Sequence, residues 1–239
     1  MITIQDLSFS YPDGTRALDR LTLTVEDGCC TGIVGANGAG KSTLLNHLNG
    51  FFLPRTGRVT MGGITVEKKN LDLIHKRVGM LFQNPDDQLF TSRLYDDIAF
   101  GPENLGIPKE RIAGLVDEVL KRLAISELRE KPPSHLSQGE KRFGAFAAVL
   151  VMEPSVILMD EPTSDLDPKN RRRLITLVNG LKKTTVIVSH DLDFLWDTCQ
   201  RVCIMNRGHI TAEGPAREIL SDRALLEAND LELPLRLQY

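Results

Sequence analysis

Gly35-Ala36-Asn37-Gly38-Ala39-Gly40-Lys41-Ser42-Thr43 is the stretch of sequence that decides the fold. Its spacing fits the phosphate-binding pattern in which two glycines, with four residues between them, are followed by Lys and by Ser or Thr. Residues 30–34 predict a short buried strand before it, and residues 42–49 predict a helix that ends at Gly50. Glycines let a backbone approach an anion closely, and a helix N-terminus adds the positive end of its dipole. The stretch therefore predicts a strand–loop–helix cradle for phosphate groups.

Individual side chains of this loop have expected roles in binding a nucleotide and its metal ion. The Lys41 ammonium is expected to reach the β- and γ-phosphates, and the Ser42 hydroxyl to supply an oxygen ligand to Mg²⁺. The other expected contacts to the nucleotide come from Gly35, Asn37, Gly38, Gly40 and Thr43. An incidental glycine-rich surface loop is the alternative, and the flanking strand and helix disfavour it.

Composition and charge limit the classes of protein to consider. The chain has 239 residues, of which 41% are apolar and 26% charged, as in an ordinary globular protein. A net charge of −3 gives no overall attraction to nucleic acid, so we expect no nucleic-acid partner. The basic run from Lys169 to Arg173 is interpreted as a solvated helix face.

The sequence also predicts where the protein works. No apolar stretch is long enough to span a bilayer, and residues 1–4 do not begin a signal peptide. The 4 cysteines lack the paired spacing of a zinc site, so we expect free thiols in a reducing cytoplasm.

Apolar periodicity predicts an α/β fold with a mostly parallel sheet, an N-terminal antiparallel β subdomain and a helical subdomain. We expect one domain over residues 1–239, with the helical subdomain inserted at about 84–151 and an irregular tail. Within the insertion, Leu89 and Phe90 end a polar loop and are expected to be exposed. Ser137 and Glu140 match a capping box. The predicted strands are 2–9, 17–25, 30–34, 58–61, 64–66, 78–82, 156–159, 185–188 and 201–205.

Polar residues follow three of the buried strands, whose ends converge on one crevice in a parallel sheet. Asp160 is expected to hold Mg²⁺ and Glu161 to activate a water molecule for attack on the γ-phosphate. His190 is expected to contact that phosphate, and Gln83 to sense it or the metal. Tyr11 either stacks on a purine or simply packs at a strand end, and the sequence leaves both readings open.

Together these motifs resemble the ATP-binding cassette (ABC) ATPases over essentially the whole chain. The resemblance rests on residues 35–43, Gln83, 136–140, 159–162, 164–167 and 189–190. It implies that ATP and Mg²⁺ are the ligands and that Ser137 and Gly139, in the signature loop, complete the ATP site of a second subunit. It also implies that Asp167 belongs to the nucleotide site. A head-to-tail dimer, of identical chains or of close paralogues, follows from this arrangement.

Residues 82–90 and 96–102 resemble more specifically the ATPases of energy-coupling-factor importers, including those for cobalt and nickel. Residues 232–235 favour the metal-ion branch slightly. The resemblance implies a membrane-spanning coupling protein and a substrate-binding membrane protein as partners, at the cytoplasmic face of the membrane. A vitamin importer, a cytosolic ABC ATPase acting on nucleic acid or ribosomes, and a non-hydrolysing regulator are the alternatives; Glu161 argues against the last.

Three positions depart from the usual pattern or carry a local cost. The signature loop has Gln138 and Glu140 where Gly and Gln are commonest, which restricts the backbone and adds a carboxylate near the phosphates. Gly144 lies inside a predicted helix, where glycine costs about 1 kcal/mol relative to alanine. Because Ser137 and Gly139 are retained, we expect an active enzyme.

Overall fold

The computed structural model describes residues 1–238, and all statements below refer to them. The strands are β1 (Ile2–Ser10), β2 (Arg16–Val25), β3 (Cys30–Val34), β4 (Thr56–Met61), β5 (Ile64–Thr65), β6 (Val78–Leu81), β7 (Val156–Asp160), β8 (Thr184–Val188), β9 (Arg201–Asn206) and β10 (His209–Pro215). The helices are α1 (Lys41–Leu48), α2 (Leu71–Arg77), α3 (Leu94–Asn104), α4 (Lys109–Arg122), α5 (Gln138–Leu150), α6 (Pro168–Asn179), α7 (Leu192–Thr198), α8 (Ala216–Ser221) and α9 (Arg223–Glu227).

The strands form two sheets. A 4-stranded antiparallel sheet has the order β2-β1-β4-β5, and a 6-stranded sheet has the order β10-β9-β3-β8-β7-β6. In the larger sheet all neighbouring strands are parallel except β10, which pairs antiparallel with β9. The predicted combination of a mostly parallel core with an N-terminal antiparallel sheet is confirmed.

The larger sheet is covered on both faces, which explains its continuous apolar strands. Every residue of β3, β7 and β8 is buried. One face packs with helices α3 to α8, and the other packs with α1 and the antiparallel sheet. Because β3, β8 and β7 are adjacent, their carboxyl ends meet at one edge of the sheet.

A glycine lets two helices of the helical region pack closely. In α5, a Cβ atom on Gly144 would lie 2.8 Å from Cδ1 of Leu94, the first residue of α3. The missing side chain lets the two helices approach. The propensity cost predicted for Gly144 therefore has a structural reason.

The structure corrects several sequence-based expectations. Leu89 is only 5% exposed and belongs to the core, so its predicted exposure is wrong, whereas Phe90 is 64% exposed. Helix α2 and strand β10 were not predicted, and α9 occupies part of the tail expected to be irregular. The predicted domain limits stay a prediction, and their last residue, Tyr239, lies outside the described residues. Across residues 1–238, no helix combines the length and apolar character needed to cross a membrane.

Candidate nucleotide-hydrolysing site

The loop between β3 and α1 is held between neighbouring backbone segments. A Cβ atom on Gly40 would collide with the carbonyl oxygen of Ala17, and one on Gly35 with that of Met205. Gly40 also has a φ of 102°, a conformation that L-residues with side chains rarely adopt. Only glycine therefore fits where the loop passes β2 and β9.

Lys41 is buried inside this loop. It is 7% exposed, and its Nζ donates to the carbonyl oxygens of Gly35 at 2.7 Å and Ala36 at 3.0 Å. Burial lowers the pKa of Lys41, while Glu161 and Asp160 nearby act in the opposite direction. The ammonium is thus held beside the carboxylates and near the position where the loop pattern places phosphates.

Asp160, the last residue of β7, carries a buried carboxylate whose Oδ1 has no hydrogen-bond donor among residues 1–238. Burial raises the pKa of Asp160, and a hydrogen bond from the Ser42 side chain lowers it. A carboxylate and a hydroxyl oxygen at one point are the hard oxygen ligands that Mg²⁺ prefers. The residues present therefore fit Mg²⁺, which, when bound, neutralises phosphate charge and orients the phosphates.

Glu161 follows Asp160 in a strained backbone conformation, with a φ of 44°. Its Oε2 accepts from the backbone N–H of His190 at 3.0 Å, and its Oε1 lies 3.3 Å from His190 Nε2. Burial raises the pKa of Glu161, although its contacts with His190 lower it. A raised pKa suits a carboxylate that accepts a proton from water.

The loop that carries His190 is fixed from its far side. Arg171 of α6 forms a two-pronged ion pair with Asp191, at 2.6 Å and 2.8 Å. Asp191 also accepts from the backbone N–H of Phe194 and so caps α7. The interpretation of the basic run on α6 as a purely solvated face is therefore wrong for Arg171, and also for Arg173, which stacks on the Phe143 ring.

These groups surround one cavity of about 600 Å³. The predicted site residues that line it are Tyr11, Asn37, Gly38, Gly40, Lys41, Ser42, Thr43, Gln83, Asp160, Glu161 and His190. The lining residues to which the sequence assigned no role in the site are Thr15, Arg16, Ala17, Ser164 and Val188. They belong to no phosphate-binding pattern: Arg16, Ala17 and Val188 lie on strands of the two sheets, and Thr15 and Ser164 lie in loops next to strands.

Tyr11 has features of both roles that the sequence left open, namely stacking on a purine and packing at the end of a strand. It lines the cavity, and its hydroxyl lies 2.8 Å from Thr43 Oγ1. Its ring also packs edge-on against Phe9 and Phe52. Contact with a purine stays a prediction.

Four predicted residues do not line the cavity, namely Gly35, Ser137, Gly139 and Asp167. Ser137 is exposed at the N-terminus of α5, where the predicted capping box with Glu140 is confirmed. Gly139 is buried, and a Cβ there would lie 2.5 Å from Asn170 Nδ2. Asp167 caps α6 through the backbone N–H groups of Lys169 and Asn170. The signature-loop residues Ser137 and Gly139 thus lie outside the lining of their own chain's cavity.

A second cavity, of about 660 Å³, lies on the other side of His190, against the chain segment 230–238. It includes neither Lys41 nor Asp160 in its lining, so the smaller cavity holds the chemistry. A phosphate-binding loop with two carboxylates and a histidine at adjacent strand ends defines a nucleoside-triphosphate hydrolase of the P-loop class.

Comparison with known proteins identifies the family. Residues 18–164 match the family model described as ABC transporter. The chain is 44% identical to the energy-coupling factor transporter ATP-binding protein EcfA of Carboxydothermus hydrogenoformans, over 98% of this chain and 87% of that protein. It is 42% identical to the cobalt import ATP-binding protein CbiO of Rhodobacter capsulatus, over 98% of this chain and 86% of that protein.

A solved structure agrees with these relatives. The structure of cbiO1 from Clostridium perfringens, part of the ABC transporter complex cbiONQ, superposes with a TM-score of 0.83 at 35% identity, covering 95% of this chain and 93% of that one. The chain belongs to the ABC transporter ATPases, which convert ATP and water to ADP and phosphate.

Proposed function

We propose that this chain is the ATP-hydrolysing subunit of an energy-coupling-factor importer whose cargo is cobalt or nickel ions. The observation that carries the proposal is the identity of 42% to a cobalt import ATP-binding protein over 98% of this chain, together with 44% to a relative named EcfA. An importer for a vitamin is the second candidate, because the name EcfA does not specify a cargo.

The cavity supports ATP hydrolysis with each residue in a defined role. Lys41 binds the β- and γ-phosphates, and Ser42, Gln83 and Asp160 hold Mg²⁺. Glu161 accepts the proton of the attacking water, because its carboxylate is kept basic by burial and positioned by His190. Removing such a general base slows an enzyme by about 10²–10⁴-fold.

The second half of the ATP site comes from another subunit. Ser137 and Gly139 lie outside the cavity of their own chain, at the N-terminus of α5, where backbone N–H groups and the helix dipole attract anions. In a head-to-tail dimer these groups contact the γ-phosphate bound by the partner. The partner is a second copy or a close paralogue.

A groove next to Gln83 is the proposed docking site for the membrane proteins. Phe51 is 74% exposed and Phe82 is 38% exposed, and both line a cavity of about 390 Å³ that also includes Asp87 and Asp160. An apolar groove with an acidic rim suits a short helix that carries Arg and small residues. We therefore place the chain at the cytoplasmic face of the membrane, bound to a coupling protein and a substrate-binding protein.

Asp86 and Asp87 are adjacent acidic residues at this groove, and only the carboxylate of Asp87 is available to a partner. Asp86 Oδ1 lies 2.6 Å from Lys141 Nζ, so that carboxylate is paired within the chain. Asp87 lines the groove, and its side chain is exposed. The acidic contact with the membrane protein is assigned to Asp87.

Cargo uptake tests the proposed function. The chain is co-expressed with a coupling protein and a substrate-binding membrane protein of the energy-coupling-factor type, and cells are assayed for accumulation of Co²⁺, Ni²⁺, biotin and riboflavin. Uptake of Co²⁺ or Ni²⁺ that is lost in Glu161→Gln is the expected result. Uptake of a vitamin alone supports the second candidate. Failure to form a membrane complex, together with co-sedimentation with ribosomes, contradicts both and favours the cytosolic alternative.

A further inference from the structure

Arg142 is a buried arginine on α5 that no sequence motif brought to attention. It is 2% exposed, and its guanidinium donates to the carbonyl oxygens of Phe82 and Gln83, each at 2.7 Å. Within residues 1–238 it forms no ion pair, and its Nε has no acceptor. Burial lowers the pKa of Arg142, and the Asp165 carboxylate, which is not in ion-pair contact, acts in the opposite direction. Burying a charge without a directly paired counter-ion is costly, so a buried guanidinium that contacts mainly carbonyl groups indicates a specific positional role.

The same guanidinium reaches a third segment of the site. Its Nη2 lies 3.5 Å from the carbonyl oxygen of Ser164, a residue that lines the ATP cavity. The backbone N–H of Ser164 in turn donates to the carbonyl oxygen of Glu161. Arg142 therefore lies where α5, the Gln83 segment and the loop after Glu161 meet. A guanidinium presents several N–H donors in a fixed planar fork and can reach three segments at once, whereas an ammonium is a compact charge without that fork.

Helix α5 carries this contact to the signature loop. Ser137 is the N-cap of α5, and Arg142 is five positions further along the helix, a rise of about 7.5 Å. Gln88 adds a second link, because its Nε2 donates to the carbonyl oxygen of Ala145 at 3.3 Å. A displacement of the Gln83 segment is therefore transmitted to Ser137 through a rigid helix.

We infer that Arg142 is a positioning residue. Through helix α5, it couples the position of Gln83, in the ATP site of its own chain, to the position of Ser137, which serves the ATP site of the partner. Binding at one site thereby aligns the signature loop at the other. The inference rests on the proposed two-chain ATP site and adds a residue that links its halves. Arg142 itself touches neither ATP nor the reacting water.

Arg173 supplies a matched control. It lies on α6, its guanidinium stacks on the Phe143 ring at 4.1 Å, and it donates to the carbonyl oxygens of Leu123 and Ala124. Like Arg142, Arg173 anchors its helix by donating hydrogen bonds to two backbone carbonyl oxygens, but it contacts no residue that lines the ATP cavity. Arg173→Met reports the effect of losing such a contact on stability alone.

The test uses full-length chains that carry Glu161→Gln, in which bound ATP is retained. Dimerisation at saturating ATP is measured by analytical ultracentrifugation, and ATP affinity of the monomer by calorimetry at dilute protein. Adding Arg142→Met is expected to weaken ATP-dependent dimerisation by roughly tenfold, within the range typical of coupling residues, while monomer affinity for ATP stays within about twofold. Arg142→Lys is expected to restore dimerisation only in part, and Arg173→Met to lower the melting temperature without weakening dimerisation.

The experiment separates failure of the proposed two-chain site from failure of the role inferred for Arg142. If the Glu161→Gln parent forms no ATP-dependent dimer, the two-chain site itself is wrong. If the parent forms the dimer and Arg142→Met forms it equally well, only the role of Arg142 is wrong. An equal loss in Arg142→Met and Arg173→Met also overturns it, because the effect is then one of general stability.

Discussion

The Glu161 carboxylate accepts a hydrogen bond from the backbone N–H of His190, with 3.0 Å between donor and acceptor. The two residues follow β7 and β8, which are adjacent parallel strands. The proposed base is therefore oriented by the end of the neighbouring strand, and its position depends on the register of the sheet.

Glu161→Gln is expected to retain ATP binding and to lose hydrolysis. Glutamine keeps the side-chain oxygen that accepts from His190, but it cannot accept a proton from water. We expect the steady-state rate of phosphate release to fall by about 10²–10⁴-fold. Retention of ATP by the purified variant is the positive control for binding. Release of phosphate at the wild-type rate contradicts the role assigned to Glu161.

Asp160→Asn is expected to stabilise the ligand-free protein while abolishing Mg²⁺-dependent hydrolysis. Burial raises the pKa of Asp160 above its ordinary value of 3.8, so the folded state favours the protonated form. The stability that the wild-type residue contributes is present at low pH and is lost as pH rises through the raised pKa. Near pH 7 a buried, incompletely paired carboxylate costs about 1–3 kcal/mol, and the variant removes this cost.

Melting temperature measured against pH checks this prediction. The difference between Asp160→Asn and wild type, taken without nucleotide or metal, is expected to be largest near neutral pH and to shrink toward about pH 4. A variant that melts lower than wild type at neutral pH contradicts the electrostatic account.

Gly144→Ala is expected to destabilise the protein even though alanine favours helix. The added methyl group would lie 2.8 Å from Leu94 Cδ1, and overpacking a core typically costs about 1–3 kcal/mol. Gly114→Ala in α4 is the matched control, because a Cβ there meets no atom within 4 Å. We expect the control to gain up to about 1 kcal/mol from helix propensity. The free energy of unfolding of both variants is measured by urea denaturation. If both variants are stabilised equally relative to wild type, the packing role of Gly144 is contradicted.

Asp87→Ala is expected to weaken assembly with the membrane proteins and to leave ATP hydrolysis by the isolated chain nearly unchanged. Breaking one side of a desolvated charge pair costs about 2–5 kcal/mol in an interface. Asp86→Ala is the control, because Asp86 is paired with Lys141 in the chain itself and exposed pairs contribute only about 0–1 kcal/mol. Co-purification yields of the two variants provide the comparison. Equal yields argue against the groove as the docking site.

Most of the fold and of the candidate site could be predicted because the signals are local. Strand β7 reads as an apolar run that ends at Asp160, strand β3 leads directly into the glycine-rich loop, and His190 comes two residues after the end of β8. The glycine spacing of residues 35–43 specifies a loop conformation without reference to the rest of the chain.

The elements that were missed depend on long-range packing. Leu89 looks like a loop residue in the sequence and is buried only because the helical region folds over it. Arg142 follows the signature loop like any solvated arginine, and only the structure places the carbonyls of Phe82 and Gln83, about 60 residues earlier in the chain, within its reach. Arg16 reaches the cavity because β2 passes the phosphate-binding loop.

The central claim is that each ATP is bound between Lys41 of one chain and Ser137 of the other, and a mixed dimer tests it most directly. Differently tagged chains, one with Ser137→Arg and one with Lys41→Ala, both on the Glu161→Gln background, are combined and purified through both tags. The account predicts one retained ATP per mixed dimer and none in either variant alone, since only the mixed dimer holds one intact composite site. A mixed dimer that retains no ATP contradicts the account, because it means that each site is completed within a single chain.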